Sequence, residues 1–321
     1  MNIKISVIIP CYNGYKYIQK CLKSLEMQEY REFEVIVIDD CSSDDTYQKL
    51  KEIENDFSFQ FSVYQNEENH GPGYSRQKGV EKAQGDYICF CDADDWYEDT
   101  FLKKMVDKLE TEKSDLVMCD CYYVHKQFRK AAAWSSVIDD CSSKKEIMAF
   151  AYESMCLILV KKNILETIQM PKLYHSEDAA VIPVLVSKCN KITILKSPLY
   201  NYLMREDSAS NVFDRDAFDS SIEVFEYITK NVESGYEDEV EFLGIKGILY
   251  IGCMNALKAG VSNSDIKKAV KAFLLKYPKY RENKYYNRYS KVKKIFISSV
   301  VHNCFVISKL LAYLHTRYIN R

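Results

Sequence analysis

Apolar runs that alternate with segments of helical periodicity limit the folds open to this chain more than any other feature. Residues 3–9 and 33–38 are near-continuous, β-branched stretches, the signature of strands buried on both faces. Residues 59–64, 87–91 and 116–124 repeat the strand pattern. Between them, residues 15–27 place Ile18, Leu22 and Leu25 on one helical face. Residues 45–53 and 101–109 also read as helices, with Asp44 a candidate N-cap for the first. The loop "NHGPGYSRQKG" leads into a further helix that stops near Gly85. Strands and helices joined by short loops predict an α/β, Rossmann-like fold, its mostly parallel sheet covered by helices on both faces. Ligands in such sheets bind beyond the carboxyl ends of the strands. That rule gathers "PCYN", "DDCSSDD" and "DADD" into one crevice.

Residues 125–155 read as a less regular insertion. Residues 157–160 suggest a strand, "LYHSEDAAVIPVLV" a loop opening into a helix, and 192–195 and 199–203 two further strands. From about residue 214 only helical patterns occur, over 218–232, 240–257, 264–275 and a basic tail. The expected division is a nucleotide-binding domain over 1–213 and a helical region over 214–321, which 321 residues comfortably allow.

A net charge of −2 speaks against bulk nucleic-acid binding. The apolar stretch at residues 5–9 is short and stops at Pro10, unlike a secretion signal, so a cytoplasmic location is expected. The 12 cysteines would then be reduced. Cys89 and Cys91, like Cys119 and Cys121, have strand spacing and share a sheet face. C-x-C on apolar strands reads as buried thiols in preference to a four-thiolate zinc site. His70, His125 and His175 show no metal-ligand spacing.

The acidic stretch at the end of the fourth strand carries the chemistry. Asp92, Asp94 and Asp95 fall within four positions, and carboxylates this close repel one another unless something neutralises them. On an extended strand end, Asp92 and Asp94 would face the same way and suit a hard cation, Mg²⁺ or Mn²⁺. The plainer reading is a solvated loop with Asp95 capping the next helix. Asp40 ends the second strand, where an acid can accept hydrogen bonds from a ribose or base edge or serve as a cap. Gly71 and Gly73 suggest a mobile backbone carrying Arg76, a fixed positive charge for a nucleotide or for the acids. Glu177 and Asp178 open a helix, as a general base or as first-turn acids favoured by the dipole. Neither G-x-G-x-x-G after the first strand nor a P-loop sequence occurs.

Together, "SVIIPCYNGYKYIQKCLKSL", "FEVIVIDDCSSDDT", "GPGYSRQKGVEKAQGDYICFCDADD" and "SEDAAVIPVL" resemble the family-two inverting glycosyltransferases of GT-A fold, of the bacterial capsule, exopolysaccharide and lipopolysaccharide type. The resemblance covers about the first two-thirds of the chain. It implies transfer of a sugar from a nucleotide-sugar, usually a UDP-sugar, to a hydroxyl of a glycan or lipid-linked saccharide. It assigns Pro10, Tyr12, Asn13 and Asp40 to the nucleotide, with Arg76 reaching it from the loop. Asp92 and Ala93 would lie near the ribose, and Asp94 with Asp92 at an Mn²⁺ or Mg²⁺ ion. Asp178 would be the base, and Arg205 and Ser208 would lie near the donor phosphates. Cys41 stands where the family often has Gly, and Ser75-Arg76-Gln77 where it often has Ala-Arg-Asn.

Two other classes compete. A non-catalytic relative would bind a nucleotide-sugar or scaffold a synthase complex. A D-x-D phosphatase would carry its acid after the first strand, whereas these acids follow the fourth. After Glu282 no acidic residue occurs, while basic residues continue to Arg321. Over residues 295–314, read as one helix, Ser298, His302, Lys309 and Thr316 form a polar stripe within about 40°. Such a helix suits either peripheral contact with the inner face of the cell membrane through residues 284–321 or packing against the protein, a homo-oligomer included.

Overall fold

The structure is a computed structural model and describes residues 4–138, 143–173, 175–205 and 214–319. The chain divides into two compact units, Met1–Glu206 and Asp207–Arg321. The expected boundary near residue 213 lies outside the described residues.

In the first unit the elements run β1 (Ile5–Cys11), α1 (Tyr15–Glu26), β2 (Phe33–Asp39), α2 (Thr46–Glu52), β3 (Gln60–Gln65), α3 (Gly71–Lys82) and β4 (Tyr87–Phe90). There follow β5 (Trp96–Tyr97), α4 (Phe101–Glu112), β6 (Leu116–Val124), β7 (Arg129–Ala132), α5 (Lys144–Phe150), β8 (Ile158–Lys161), α6 (Lys162–Leu165), α7 (Glu177–Lys188) and β9 (Ile192–Leu203). The sheet order is β3-β2-β1-β4-β8-β6-β9-β5, with β7 added on β6. β1 through β4 are mutually parallel, and β8 runs antiparallel between β4 and β6. The apolar runs account for this order. Every residue of β2 is buried, as is every residue of β1 except Pro10. Only a central strand covered on both faces accommodates such a run.

Several expectations are revised. Residues 192–195 and 199–203 form one strand, β9, whose pairing with β6 shifts register around Asp120. The supposed insertion contains a regular strand, β7, and a regular helix, α5, which Ser143 caps by accepting from the Glu146 amide. Asp44 is not the N-cap of α2; Asp45 holds that position, and Asp44 instead accepts from the Thr46 amide at 3.0 Å. α3 ends at Lys82, before Gly85. A side chain at Gly85 would strike the backbone of Ile5 and Ser6, so close approach to β1 explains that glycine. The paired cysteines are buried free thiols, and burial pushes Cys89 and Cys121 up to about 12.

The second unit comprises α8 (Arg215–Asn231), α9 (Glu237–Gly244), a π-helical segment (Ile245–Gly252), α10 (Cys253–Lys258), α11 (Asn263–Lys276), α12 (Lys291–Val301) and α13 (Phe305–Ile319). The continuous helix 237–258 is long and apolar enough to cross a membrane, yet Ile245, Leu249 and Cys253 lie fully buried in this unit's core. The stretch read as one helix over 295–314 is two, because Asn303 takes a left-handed conformation (φ 59°) and breaks it. The polar stripe is therefore not continuous: Ser298 belongs to α12 and Lys309 to α13.

Candidate active site

The loops after β1, β2 and β3 are tied together by their own polar side chains. Asn13, itself left-handed (φ 47°), donates its amide N–H to Ser42 Oγ at 2.9 Å. Its side-chain oxygen accepts from the Ser43 amide at 2.9 Å. Asp40 is buried and receives Asn66 Nδ2 (2.7 Å), the His70 amide (3.1 Å) and the Gly71 amide (2.7 Å). Those amides open α3, so the carboxylate meets the positive end of a helix. Gly71 can bend there because its φ is +82°. Tyr12 projects half-exposed between these loops. Pro10 lies in β1 opposite Ile38, and Ala93 is partly exposed in the turn after β4.

Arg76 departs from expectation. It lies on α3, not on a mobile loop, and is only 3% exposed. Gly73 permits this, since a Cβ there would meet the Pro171 carbonyl oxygen at 2.8 Å and Glu177 Cγ at 3.3 Å. The two helices thus touch where glycine stands. The Arg76 guanidinium pairs with Glu177, donates to Asp92 Oδ1 at 2.7 Å, and lies 3.3 Å from Asp178 Oδ1. Burial opposes its charge, but Asp178, Asp92 and Glu177 outweigh that and hold its pKa well above the ordinary value.

Asp178 sits in the first turn of α7, behind Ser176 in a left-handed conformation (φ 61°). Its Oδ2 accepts from the Met155 amide at 3.0 Å, while buried Oδ1 receives no hydrogen bond. Burial raises its pKa to about 7; Arg76 pulls the other way, and Glu177 and Asp92 add to the rise. This carboxylate can exchange a proton near neutrality.

The acids after β4 do not continue an extended strand. The Asp95 amide donates to the Asp92 carbonyl oxygen at 3.0 Å, closing a turn. Asp92 goes to Arg76, whereas Asp94 pairs with Arg205 at 2.7 Å. Burial, then Asp92, pushes Asp94 above the usual carboxylate range, against the pull of Arg205. The two arginines supply the neutralising charge that the sequence demanded. Arg205 also lies over the Tyr17 ring at 4.4 Å. Ser208 lies outside the described residues.

Asp95 is not a solvated cap. It is 1% exposed and accepts from Tyr200 Oη at 2.6 Å and the Leu203 amide at 2.7 Å. Tyr200 Oη in turn accepts from the Asp92 amide at 3.2 Å. This clasp fastens the acidic turn to β9, two residues before Arg205. No local pattern marks it, because Tyr200 and Asp95 are distant in sequence.

Among the described residues no cluster of three or more His, Cys, Asp or Glu side chains is arranged to hold a metal. Asp92 and Asp94 are oxygen donors of the type a hard divalent cation takes, but each is paired with its own arginine, Arg76 and Arg205, so a cation that used both would have to displace those pairs. Carboxylates at the carboxyl ends of a mostly parallel, helix-covered sheet, with acids of a second helix drawn to the same arginine, agree with the GT-A glycosyltransferase fold that the sequence resemblance implies. The sequence profile of glycosyl transferase family 2 matches residues 6–161. TuaG of Bacillus subtilis, assigned to teichuronic acid biosynthesis, is 30% identical over 190 residues, covering 57% of this chain and 72% of that protein. The chain belongs to glycosyl transferase family 2.

Glycosyltransferase GlyA of Streptococcus pneumoniae is 26% identical over 280 residues, covering 83% of this chain and 40% of its own length. TarS of Staphylococcus aureus, a poly(ribitol-phosphate) β-N-acetylglucosaminyltransferase, is 26% identical over 254 residues, covering 75% of this chain and 44% of its own. The chain thus spans less than half the length of these two relatives. The crystal structure of S. aureus TarS 1-349 with UDP-GlcNAc superposes with a TM-score of 0.72 at 21% identity, covering 98% of this chain and 92% of that one, a likeness of fold.

Proposed function

We propose that this chain is an inverting glycosyltransferase that moves a sugar from a UDP-sugar to a hydroxyl of a glycan or lipid-linked acceptor in cell-surface polysaccharide synthesis. The observation that carries the reading is Asp178: a buried carboxylate titrating near 7, one oxygen anchored by Met155 and the other without a hydrogen bond. The UDP-GlcNAc complex of TarS supports the choice of nucleotide.

Pro10, Tyr12, Asn13 and Asp40 take the base and ribose end, with Asp92 and Ala93 beside the ribose. Asp94 and Asp92 would hold Mn²⁺ or Mg²⁺, which when bound supplies Lewis-acid charge to the leaving diphosphate. Arg205 adds a fixed positive charge on the same side. Arg76, buried among Asp92, Glu177 and Asp178, acts through the acids it holds.

The Asp178 carboxylate takes the proton of the acceptor hydroxyl as the acceptor oxygen bonds to the anomeric carbon. The bond from that carbon to the diphosphate breaks on the opposite face, and its electron pair leaves with the diphosphate. One displacement inverts the centre. The enzyme works in the cytoplasm, with its basic C-terminal part at the inner membrane face.

The test is a thermal-shift panel of UDP-, GDP- and TDP-sugars with and without Mn²⁺. A UDP-sugar with Mn²⁺ should raise the melting temperature more than either alone, and Asp94→Asn should abolish that synergy. Absence of any nucleotide-dependent shift would defeat the proposal.

A further inference from the structure

Helix α13 is apolar on its outward side as well as its inward one. Its inward face carries Ser308, fully buried with Oγ 2.7 Å from Ser299 Oγ of α12, and Ala312, with Phe305 and Leu311 partly buried against the core. Its exposed face is apolar: Val306 is 85% exposed, Leu310 57%, Tyr313 54%, Ile307 48% and Leu314 37%. Five of the fifteen exposed large hydrophobics among the described residues therefore fall within positions 306–314, so the patch is concentrated and not scattered. At 100° per residue these five span an arc of about 120°, with exposed Lys309 at its edge. A water-facing helix of a self-sufficient unit has the opposite polarity, so this face has an occupant.

Charge selects among occupants. Residues 283–321 contain no Asp or Glu, but Lys284, Arg288, Lys291, Lys293, Lys294 and Lys309 are all basic. Lys284 is engaged by Asp238 and Glu239, and Lys293 is held between the Tyr250 and Tyr289 rings. Lys291 and Lys309 are exposed and form no ion pair among the described residues. An apolar stripe with Lys309 at its edge, in a segment that carries basic residues and no acidic ones, complements an anionic lipid surface, where chains receive the stripe and headgroups the lysines. α13 keeps Ser308 and Ala312 packed on the core of its own unit and carries exposed Lys309 in its middle, so lipid reaches only its outer face. It fits in the interface plane, not across it.

We propose that the outward face of α13, with Val306 and Leu310 at its centre, docks the second unit on the surface of an anionic bilayer. This deepens the membrane-side placement proposed above by assigning it to one helix face. It does not depend on the transfer chemistry.

The test uses the full chain without nucleotide, sedimented with phosphatidylcholine vesicles and with mixed phosphatidylcholine/phosphatidylglycerol vesicles. The wild type should pellet with the mixed vesicles, less at high salt, and Val306→Glu with Leu310→Glu should cut that binding by about tenfold or more. If the double glutamate variant melts early, Val306→Ser with Leu310→Ser replaces it, with the same loss expected. Wild type left in the supernatant, or a folded variant that pellets equally, overturns the proposal. So does light scattering that shows a self-associated wild type and a monomeric variant without vesicle binding, which would give the face to a second copy. Nucleotide-dependent thermal shifts, measured separately, leave the transferase reading standing or falling by itself.

Discussion

Asp178 Oδ1 lies 3.3 Å from Arg76 Nη1 yet accepts no hydrogen bond, while its twin oxygen is fixed by the Met155 amide. The acid is therefore oriented without being saturated. Glu177 next to it closes tightly on the same guanidinium. Neighbouring carboxylates thus meet one arginine differently, Glu177 in a close ion pair and Asp178 held by the Met155 amide in the orientation that the proposed proton transfer needs.

The first prediction concerns pH. With Asp178 raised to about 7, kcat/KM should rise with pH around a midpoint near 7, against about 4 for an unperturbed Asp. The sign for stability follows from the same shift. The native state binds this proton more tightly than the unfolded chain, so ionisation costs stability progressively from about pH 4 to about pH 7. Asp178→Asn removes that cost, and its melting temperature relative to wild type should climb across the window. A difference that is flat with pH would mean an ordinary carboxylate.

Arg76→Leu should destabilise the fold by about 3–5 kcal/mol, because it strands Asp92, Glu177 and Asp178 without their cation. Arg76→Lys should recover little, since one ammonium cannot reproduce the fork. Urea unfolding reads both. A loss within about 1 kcal/mol for the leucine variant would show that the acids are neutralised by other means.

Tyr200→Phe should cost about 1–3 kcal/mol, leaving the buried Asp95 carboxylate one donor short. It should also lower kcat/KM by roughly ten- to a hundredfold, as the turn bearing Asp92 and Asp94 loses its tie to β9. Chemical denaturation and steady-state kinetics on one preparation separate the two effects. Unchanged kinetics in a destabilised variant would confine the clasp to structure.

Gly73→Ala should destabilise by about 1–3 kcal/mol although alanine favours helix, because its methyl group meets the Pro171 carbonyl oxygen. A stabilised variant would mean that α3 and the segment before α7 move apart freely.

What the sequence shows and hides follows from the range of the interactions. The parallel strands β1 to β4 and their helices are legible because each buries a periodic or continuous apolar pattern over a few residues. The placement of Asp40, Asp92 and Asp94 just past the carboxyl ends of parallel strands follows from that order. The state of Arg76 does not, since its burial depends on contact between Gly73 and a segment about a hundred residues later. The Asp95–Tyr200 clasp is hidden for the same reason. The two-residue β5 is too short for periodicity to register. The break at Asn303 turns on one left-handed residue that the surrounding apolar composition masks.

The most direct measurement is single-turnover sugar transfer by Asp178→Asn beside calorimetric UDP-sugar binding in the presence of Mn²⁺. The account predicts a rate at least about a thousandfold below wild type, with donor affinity changed by less than about threefold. Transfer at the wild-type rate by the folded variant would contradict it.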